Sequence, residues 1–550
     1  MSDDLSITSL LQHLPQFSST VRTSGSAEER AAFDYAESVL SGYGYSTRLL
    51  EHDAYISMPR SARLTSGGRE IACITHAMAT TAPDLRGRLQ FISDASEARA
   101  GAITLMYGLA EPGVVRQLSG RGVAAAVFIN GKFTHEMILS PVWGSPDLDQ
   151  LSELPGIPVI SVAAEWGSEL EQIAANGAEV QLQTRVDTGW RRTPILEATL
   201  ETPDCDGSLV LFTGHIDSWY LGAMDNGGAN CTMLEVARVM ALRRSELKRG
   251  LRLLFWSGHS HGRYSGSSWY ADEHFEELRD RALLHVNIDS VGGKGADVLT
   301  VAPCMQEAVP LAAEAIAAEA QQEFVGRRME RSGDQSFFGH GVSSMFVTLS
   351  EQAPATGVAA DGFARLFGGG GRSGGLGWWW HTTEDTVDKL DETRLERDAR
   401  IYARVIHAAC TAVNIPLRYS RTAREILDQL RHWQSLAGED LDLSVAVRRA
   451  EGLVAALERF EAGLDGSAVS QWRMLKAVAR QLVPLNYVAG PLHMHDPALP
   501  QPAVPALAGI RRLQGELAEA ERRHLIVGLR RERNRVALAL AEALAAVGGE

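Results

Sequence analysis

A histidine and two aspartates follow one apolar run in this sequence. The run 209–212 leads to His215 and Asp217, and Asp225 comes shortly after them. Imidazole and carboxylate groups are the ligands that zinc and similar divalent ions take in proteins. The spacing therefore predicts a metal site where a buried strand ends and a helix begins.

Two further apolar runs end in residues of the same kind. The run 251–256 leads to His259 and His261, and the run 283–288 leads to Asp289. Ligands of open α/β sheets collect outside the carboxyl ends of parallel strands. We therefore expect three strands to direct metal-binding side chains towards one rim of a sheet.

A glycine-rich stretch, 367–377, precedes a cluster of tryptophans and His381. Glycine lacks a side chain and lowers the barrier to backbone motion, so we interpret this stretch as a mobile flap. Arg372 within it and Arg263 are candidates for holding a substrate carboxylate, because the guanidinium fork fits that group. Trp380 is expected to line an aromatic pocket.

In type and order, these residues resemble the co-catalytic zinc aminopeptidase family that includes aminopeptidase S, glutamate carboxypeptidase II and the transferrin receptor ectodomain. The resemblance implies that His215 and Asp289 bind the first of two ions. It also implies that Asp225 bridges the two ions and that His381 binds the second. Asp217 would then orient His215 from behind.

The segment between Phe255 and Gly266 departs from this family, which carries two adjacent glutamates there. One glutamate is the general base and the other binds the second ion. Counting from Phe255 places His259 and Ser260 at these positions, whereas counting back from Gly266 places Ser260 and His261 there. Both registers leave the site with fewer carboxylates than the family has.

In an extended segment, side chains two apart share a face, so His259 and His261 would point to the same side. Serine is a poor ligand, and we therefore predict that His261 binds metal beside Ser260. His259, with an unperturbed pKa of about 6.5, is predicted to be the general base if it is not itself a ligand. Zinc is the expected cofactor, as one ion or two, with manganese or iron as alternatives.

The substrate side of the site is predicted from the same resemblance. The stretch 332–338, which contains Asp334, is similar to the substrate-side loop of the family, and Tyr264 directly follows Arg263. We expect both residues to contact the substrate.

Three functions are compatible with this site. The first is a metal-dependent hydrolase of an amide or peptide bond in a small peptide or an N-acylated amino-acid-like substrate. The second keeps the metal but performs a lyase or ring-opening reaction, since the glutamate pair is absent. The third is an inactive binding homologue. Retention of His215, Asp225, Asp289 and His381 argues against the third, because clustered charges released from chemistry have no physical reason to persist.

Composition narrows the partners. The 550 residues carry a net charge of −15, which excludes nucleic acid and anionic membranes as expected partners and leaves a small molecule or peptide. No long apolar run spans a membrane, and residues 1–17 lack the pattern of a signal peptide. We therefore expect a cytoplasmic protein.

Alternating strand and helix patterns predict an α/β fold, with a mainly parallel sheet flanked by helices. We assign the catalytic domain to 1–60 and 191–418, and a β-rich insertion that resembles a protease-associated domain to 61–190. The segment 419–550 is predicted to be helical and, by the same resemblance, to form a homodimer. Within it, one helical stripe is predicted from Ile510, Leu513, Leu517 and Ala520.

Overall fold

The computed structural model describes residues 4–358, 361–362, 375–464 and 471–548. The strands are β1 (Ser46–Ser66), β2 (Arg69–Ile71), β3 (Ile74–Thr75), β4 (Ala82–Phe91), β5 (Ile103–Tyr107), β6 (Ala125–Ile129), β7 (Val159–Val162), β8 (Glu179–Leu200), β9 (Leu209–His215), β10 (Gly250–Trp256), β11 (Ala282–Asn287), β12 (Ala296–Val298), β13 (Ser343–Met345) and β14 (Glu351–Gln352).

The helices surround these strands and fill the C-terminal part of the chain. They are α1 (Ile7–Gln12), α2 (Leu14–Ser18), α3 (Ala27–Gly42), α4 (Pro112–Gly120), α5 (Gly167–Ala175), α6 (Ala229–Leu242), α7 (His259–Gly262), α8 (Ser265–Glu273), α9 (Phe275–Arg281), α10 (Val309–Ala320), α11 (Glu392–Thr411), α12 (Tyr419–Ala437), α13 (Ser444–Ala462), α14 (Gln471–Tyr487) and α15 (Glu519–Ala546).

The large sheet has the strand order β13-β11-β9-β10-β8-β4-β5-β6-β7-β3. Strands β9, β10, β11 and β13 run parallel, as do β4 to β7. Alternate residues of β9 belong to two different core clusters: Val210 and Phe212 lie in one, and Leu209 and Leu211 in the other. Both faces of the strand are therefore buried, which explains its unbroken apolar run. The predicted α/β fold with a mainly parallel sheet is confirmed.

Parallel register brings the strand ends to one rim. His215 pairs with Trp256 across β9 and β10, and Thr213 pairs with Asn287 across β9 and β11. The chain segments that follow these three strands consequently leave the sheet at the same level, as the apolar runs predict.

Two long strands connect the catalytic part of the sheet with the rest. β1 and β8 are antiparallel and remain paired from Ser46 opposite Thr199 to Ser66 opposite Val180, with one irregularity between Pro59 and Ser61. β8 also pairs with β10 near its carboxyl end and with β4 near its amino end. The division of the chain into three domains stays a prediction.

The C-terminal part is helical, but the stripe proposed around Ile510 is wrong. Ile510 and Leu513 are buried in a 3-10 helix, Pro505–Gln514, whereas Ala520 is exposed in α15. Gly515 has an extended backbone and ends the 3-10 helix, so the helical period does not continue through it. Among the described helices, none is long and apolar enough to cross a membrane.

Candidate active site

His215 ends β9 with its ring held on one side and open to carboxylates on the other. Its Nδ1 donates a hydrogen bond to the backbone carbonyl of Asp217 at 2.9 Å. Its Nε2 lies 3.2 Å from Asp225 Oδ1 and 3.7 Å from Asp289 Oδ2. This Nε2 atom is buried and has no hydrogen-bond partner. A buried nitrogen that faces two carboxylates without a hydrogen bond is the arrangement of a metal ligand.

Asp225 lies between two histidines. While Oδ1 faces His215, Oδ2 lies 3.1 Å from His381 Nε2. The His381 ring is fixed because its Nδ1 donates to the carbonyl oxygen of Glu136 at 2.7 Å. In both histidines, therefore, the backbone takes Nδ1 and leaves Nε2 for the cluster, which is how ligand tautomers are commonly set.

The charges of the cluster require a cation. Burial lowers the pKa of His215, but Asp217, Asp225 and Asp289 outweigh it and raise this pKa well above its usual value. Burial raises the pKa of Asp225, but the adjacent His215 and His381 imidazoles lower it overall. A divalent ion supplies the same positive charge without a proton. The donor set fits such an ion, in agreement with the predicted divalent-metal cofactor, and the role of each ligand stays a prediction.

The segment after β10 is not extended. His259–Gly262 form a short helical turn, preceded by Gly258 in the left-handed region with a φ of 75°. Successive residues of a helix are rotated by about 100°, so side chains two apart point in nearly opposite directions. The expectation that His259 and His261 share one side is therefore wrong.

Of these two histidines, His259 reaches the cluster. The donor atoms of His215, His259 and Asp289 all lie within 4.8 Å of one another. The His259 ring stacks on His215 at 3.7 Å with an interplanar angle of 9°. The lone pair of an imidazole lies in its ring plane, and one ion cannot lie in two parallel planes that are stacked. The stacking therefore argues against His215 and His259 binding the same ion.

A carboxylate holds the far side of His259. The Nδ1 atom donates to Asp334 Oδ2 at 2.7 Å, and Ser267 donates to Asp334 Oδ1 at 2.8 Å. Asp334 is 1% exposed. The structure therefore places Asp334 on the imidazole of His259, and the predicted contact with the substrate stays a prediction.

His261 points away from the cluster. Its Nδ1 lies 3.0 Å from Ser24 Oγ and 3.7 Å from Asp217 Oδ2, and its ring packs against Trp219 at 4.4 Å. The structure does not bring His261 together with His215 and Asp289. This differs from the predicted ligand role, because the helical turn rotates His261 to the opposite side from His259.

The Asp217 carboxylate supports this turn. Oδ2 accepts the backbone N–H of Ser260 at 2.8 Å and Ser24 Oγ–H at 2.8 Å, and Oδ1 accepts the N–H of His259 at 3.3 Å. A carboxylate at the first N–H groups of a helical turn satisfies donors that have no partner within the helix. Asp217 therefore orients His215 through its backbone carbonyl and fixes the His259 turn through its side chain.

A cleft of about 850 Å³, counting its open mouth, lies over the cluster. Three parts of the chain line it: the 61–190 segment, the residues around the cluster, and the C-terminal part. Of the predicted substrate-side residues, Arg263, Tyr264 and Trp380 line the cleft, whereas Arg372 lies outside the described residues. Other lining residues include Met137, Ile138, Trp219, Ser260, Glu330, Arg331, Leu376, Ala498, Leu499 and Pro500.

Several supporting residues escape sequence reasoning. Buried Arg22 donates from Nε to the carbonyl of Ile216 at 2.9 Å and from Nη1 to that of Leu221 at 2.9 Å, which holds the loop between His215 and Asp225. No local motif marks Arg22. Asp385 accepts the backbone N–H of Asp225 at 3.0 Å, and burial together with the Asp225 charge raises its pKa to about 7. Its place four residues after His381 was the available signal.

The fold and the cluster define the class of an α/β protein with a divalent-metal centre at the carboxyl rim of its sheet. Residues 197–406 match the sequence profile of Peptidase family M28. The matched part contains His215, Asp225, Asp289 and His381, the residues that carry the predicted resemblance to co-catalytic zinc aminopeptidases.

Curated relatives share part of the chain. Carboxypeptidase Q of Xenopus laevis is 29% identical over 144 residues, which are 25% of this chain and 29% of that protein. Aminopeptidase YwaD of Bacillus subtilis (strain 168) is 28% identical over 244 residues, 42% of this chain and 50% of that protein. The chain thus spans half or less of these two relatives.

Solved structures share the fold at low identity. A zinc aminopeptidase of Bacillus subtilis, BSAP, is 20% identical with a TM-score of 0.56, over 74% of this chain and 96% of that one. An aminopeptidase of Aneurinibacillus sp. strain AM-1 is 19% identical with a TM-score of 0.54, over 74% and 95%. At these identities the likeness supports the fold alone.

Proposed function

We propose that this protein is a metal-dependent hydrolase of an amide or peptide bond in a small peptide or an N-acylated amino-acid-like substrate. The observation that carries the proposal is the position of the His259 imidazole, held by Asp334 and facing the cluster of His215, Asp225 and Asp289. The match to a peptidase family over 197–406 supports the same reaction type.

His215, Asp225 and Asp289 would hold the ion, and zinc is the ion that such an imidazole–carboxylate set favours. A bound divalent ion supplies Lewis acidity towards the amide carbonyl and lowers the pKa of a water molecule. The protein side chains orient these groups and exclude bulk water, since His215 and Asp225 are almost fully buried.

His259 would be the general base. Because its Nδ1 proton is donated to Asp334, the Nε2 lone pair is free and faces the cleft, with Nε2 3.8 Å from Asp289 Oδ2. A neutral imidazole in this tautomer accepts a proton from water at Nε2 and can pass it to the leaving amine. The carboxylate stabilises the imidazolium that forms in between.

We further propose that each chain holds one ion tightly. On one side of Asp225, His215 and Asp289 supply two more donors, whereas on the other side His381 supplies one, and Ser260, which lines the same cleft, offers a hydroxyl. A neutral hydroxyl is a weak ligand for zinc. Elemental mass spectrometry on protein purified without chelators or metal-affinity columns tests the stoichiometry, and two tightly held zinc ions would contradict it.

Replacement of the glutamate pair by His259 and Ser260 also favours a second candidate, a lyase or ring-opening reaction on the same metal site. Reaction in ¹⁸O-labelled water separates the two. Aminoacyl amides, N-acyl amino acids and dipeptides are incubated with the metal-loaded protein. Hydrolysis places one labelled oxygen in the new carboxyl group, whereas a lyase product carries none. Absence of bound metal together with absence of turnover would support an inactive binding homologue.

We also propose a homodimer formed through 419–550. Exposed Val527 and Leu538 on α15 support it, and Leu538 borders an apolar groove with Leu485 and Leu492. Sedimentation equilibrium should give twice the chain mass for the unmodified protein, and Leu538→Glu should shift it towards the single chain. The exposed charge swap Arg86→Glu, far along the chain in β4, provides a control.

Two further proposals concern organisation and location. We retain the catalytic domain at 1–60 and 191–418, with an insertion of the protease-associated type at 61–190. Limited proteolysis tests these limits, since cleavage should concentrate between units.

Cytoplasmic residence is supported by the five cysteines, which are all free thiols. Fractionation of cells that express the protein tests that location.

A further inference from the structure

Arg263 brings a buried positive charge into the cleft. The residue is 7% exposed and lines the cleft, yet its Nε atom is buried without a hydrogen-bond partner. Among the described residues, no carboxylate forms an ion pair with this guanidinium, and no hydrogen bond from its side chain is present. Its position at the end of the His259–Gly262 turn is fixed by its own carbonyl, which accepts the N–H of Gly144 at 2.6 Å.

A second guanidinium extends the same wall. The Arg263 Cζ lies 5.4 Å from the centre of the Tyr264 ring, and that ring packs on Trp143 at 4.4 Å. The Arg331 Cζ also lies over the Trp143 ring, 4.5 Å from its centre. Arg331 is 9% exposed and lines the cleft, and within the described part of the chain it too lacks a carboxylate partner.

The Arg331 guanidinium has a hydrogen-bond partner, whereas that of Arg263 has none among the described residues. The Arg331 Nη2 donates to the carbonyl of Asp496 at 2.6 Å, and its planar face is covered by Trp143. Arg263 lies over the face of the Tyr264 ring, and within the described part of the chain its side chain forms neither a hydrogen bond nor an ion pair. An unpaired buried charge destabilises a protein strongly unless an anion compensates it. The anion missing at Arg263 is therefore expected to come with the ligand of the cleft.

We propose that Arg263 is the carboxylate-binding residue of the substrate site, so that the substrate carries a free carboxylate within one residue of the bond that is broken. The guanidinium fork matches a carboxylate in two parallel hydrogen bonds. Tyr264 links this site to the general base, since its ring lies 4.9 Å from the His259 ring. The inference rests on the proposed function and narrows it to N-acyl amino acids and short peptides that end at this subsite.

Matched pairs of ligands test the inference by calorimetry. Each pair consists of an N-acetyl amino acid and its primary amide, for leucine, phenylalanine and glutamate. Binding is measured on the metal-loaded protein and on chelator-treated protein, with metal content determined for each sample. The variants are Arg263→Gln, Arg263→Lys and, as a control for loss of a buried guanidinium elsewhere, Arg249→Gln, whose side chain binds the carbonyls of Ala409 and Ala412.

At least one carboxylate should bind the unmodified protein about tenfold or more tightly than its amide, with or without metal. Arg263→Gln should abolish this preference, Arg263→Lys should keep part of it, and Arg249→Gln should keep all of it. Equal binding of every acid and amide by the unmodified protein overturns the inference, even if no variant folds.

A preference that survives in Arg263→Gln but disappears with the metal also overturns it, since the carboxylate then binds the ion. If the proposed hydrolase function is wrong but the carboxylate site is right, the measurements give a different result. The protein would then bind carboxylates through Arg263 but show no metal or no turnover.

Discussion

The two sides of Asp225 differ, although one carboxylate serves both. On the Oδ1 side, His215 and Asp289 come from the ends of adjacent parallel strands, so sheet register places them. On the Oδ2 side, His381 comes from a loop, and Ser260, from the turn after β10, lines the same cleft. The first side has three donors, whereas the second has two and a hydroxyl.

The sheet therefore fixes the positions of some metal ligands and leaves others to loops and turns. Donors at strand ends cannot change position without a change in the sheet, whereas the identity of a turn residue can change freely. The backbone of the His259 turn is held by the Asp217 carboxylate, which accepts its N–H groups whatever side chains the turn carries.

Removal of His215 should abolish metal binding on the Oδ1 side of Asp225. His215→Ala should weaken metal binding by more than the roughly 10–100-fold that is typical for residues which only orient a ligand, and turnover should be lost with it. Titration with zinc, followed by elemental analysis, measures the loss. His407→Ala, which removes a partly exposed histidine paired with Glu246, is the control. Full metal content in His215→Ala would disprove the assignment of the strongly binding side.

Removal of His259 should lower turnover while the metal stays. For His259→Ala we expect kcat to fall by about 10²–10⁴-fold, the usual contribution of a general base. Metal affinity should change far less than in His215→Ala, because the stacking of the two rings argues against a shared ion. Loss of the ion together with activity would instead make His259 a ligand.

Asp334→Asn should have a smaller effect of the same kind. The amide no longer stabilises an imidazolium at His259, and we expect kcat to fall by about 10–100-fold with KM and metal content near those of the unmodified protein. The Ser267 hydroxyl still finds a partner in Ser336 at 2.9 Å, which limits the loss of stability. An unchanged kcat would remove Asp334 from the proton pathway.

Ser260→Glu should strengthen metal binding on the Oδ2 side of Asp225. A carboxylate beside His381 and Asp225 would supply a third donor, so a second zinc ion should bind and the stoichiometry should rise from one towards two per chain. Ser260→Ala is the matched control and should keep one ion. A stoichiometry of one in both variants would show that the turn places residue 260 out of reach.

His261→Ala should have the smallest effect on the metal. The side chain contacts Ser24 and Trp219 behind the cluster, so its loss should reduce the free energy of unfolding by about 1 kcal/mol, the usual contribution of one hydrogen bond. Chemical denaturation measures this change, and zinc affinity should match that of the unmodified protein. A marked fall in zinc affinity would restore His261 as a ligand.

Much of the metal centre can be predicted from the sequence, because buried parallel strands leave a recognisable apolar run in it. Apolar runs at 209–212, 251–256 and 283–288 predict β9, β10 and β11, and a parallel register then brings the following residues to one rim. His215, Asp225 and Asp289 follow from this rule without any knowledge of side-chain contacts.

The rest depends on contacts that no local pattern encodes. The apolar run predicts an extended path after β10. Gly258 instead adopts a positive φ and starts a helical turn there, which points the side chains of His259 and His261 to opposite sides. Arg22, Ser24 and Pro500 reach the site from the two ends of the chain. Their roles arise from packing, and a single sequence gives no periodic signal for it.

The long pairing of β1 with β8 has a consequence for protein engineering. The segment between the two strands enters and leaves through one antiparallel ladder, so a foreign segment can replace it only if its two ends arrive side by side. The irregularity between Pro59 and Ser61 offers a natural junction, since the ladder from Ser46 to Pro59 keeps its own partners on β8. A chimaera joined at that point would exchange one wall of the cleft, and its new segment would have to supply a carbonyl in place of that of Glu136, which accepts from His381 Nδ1.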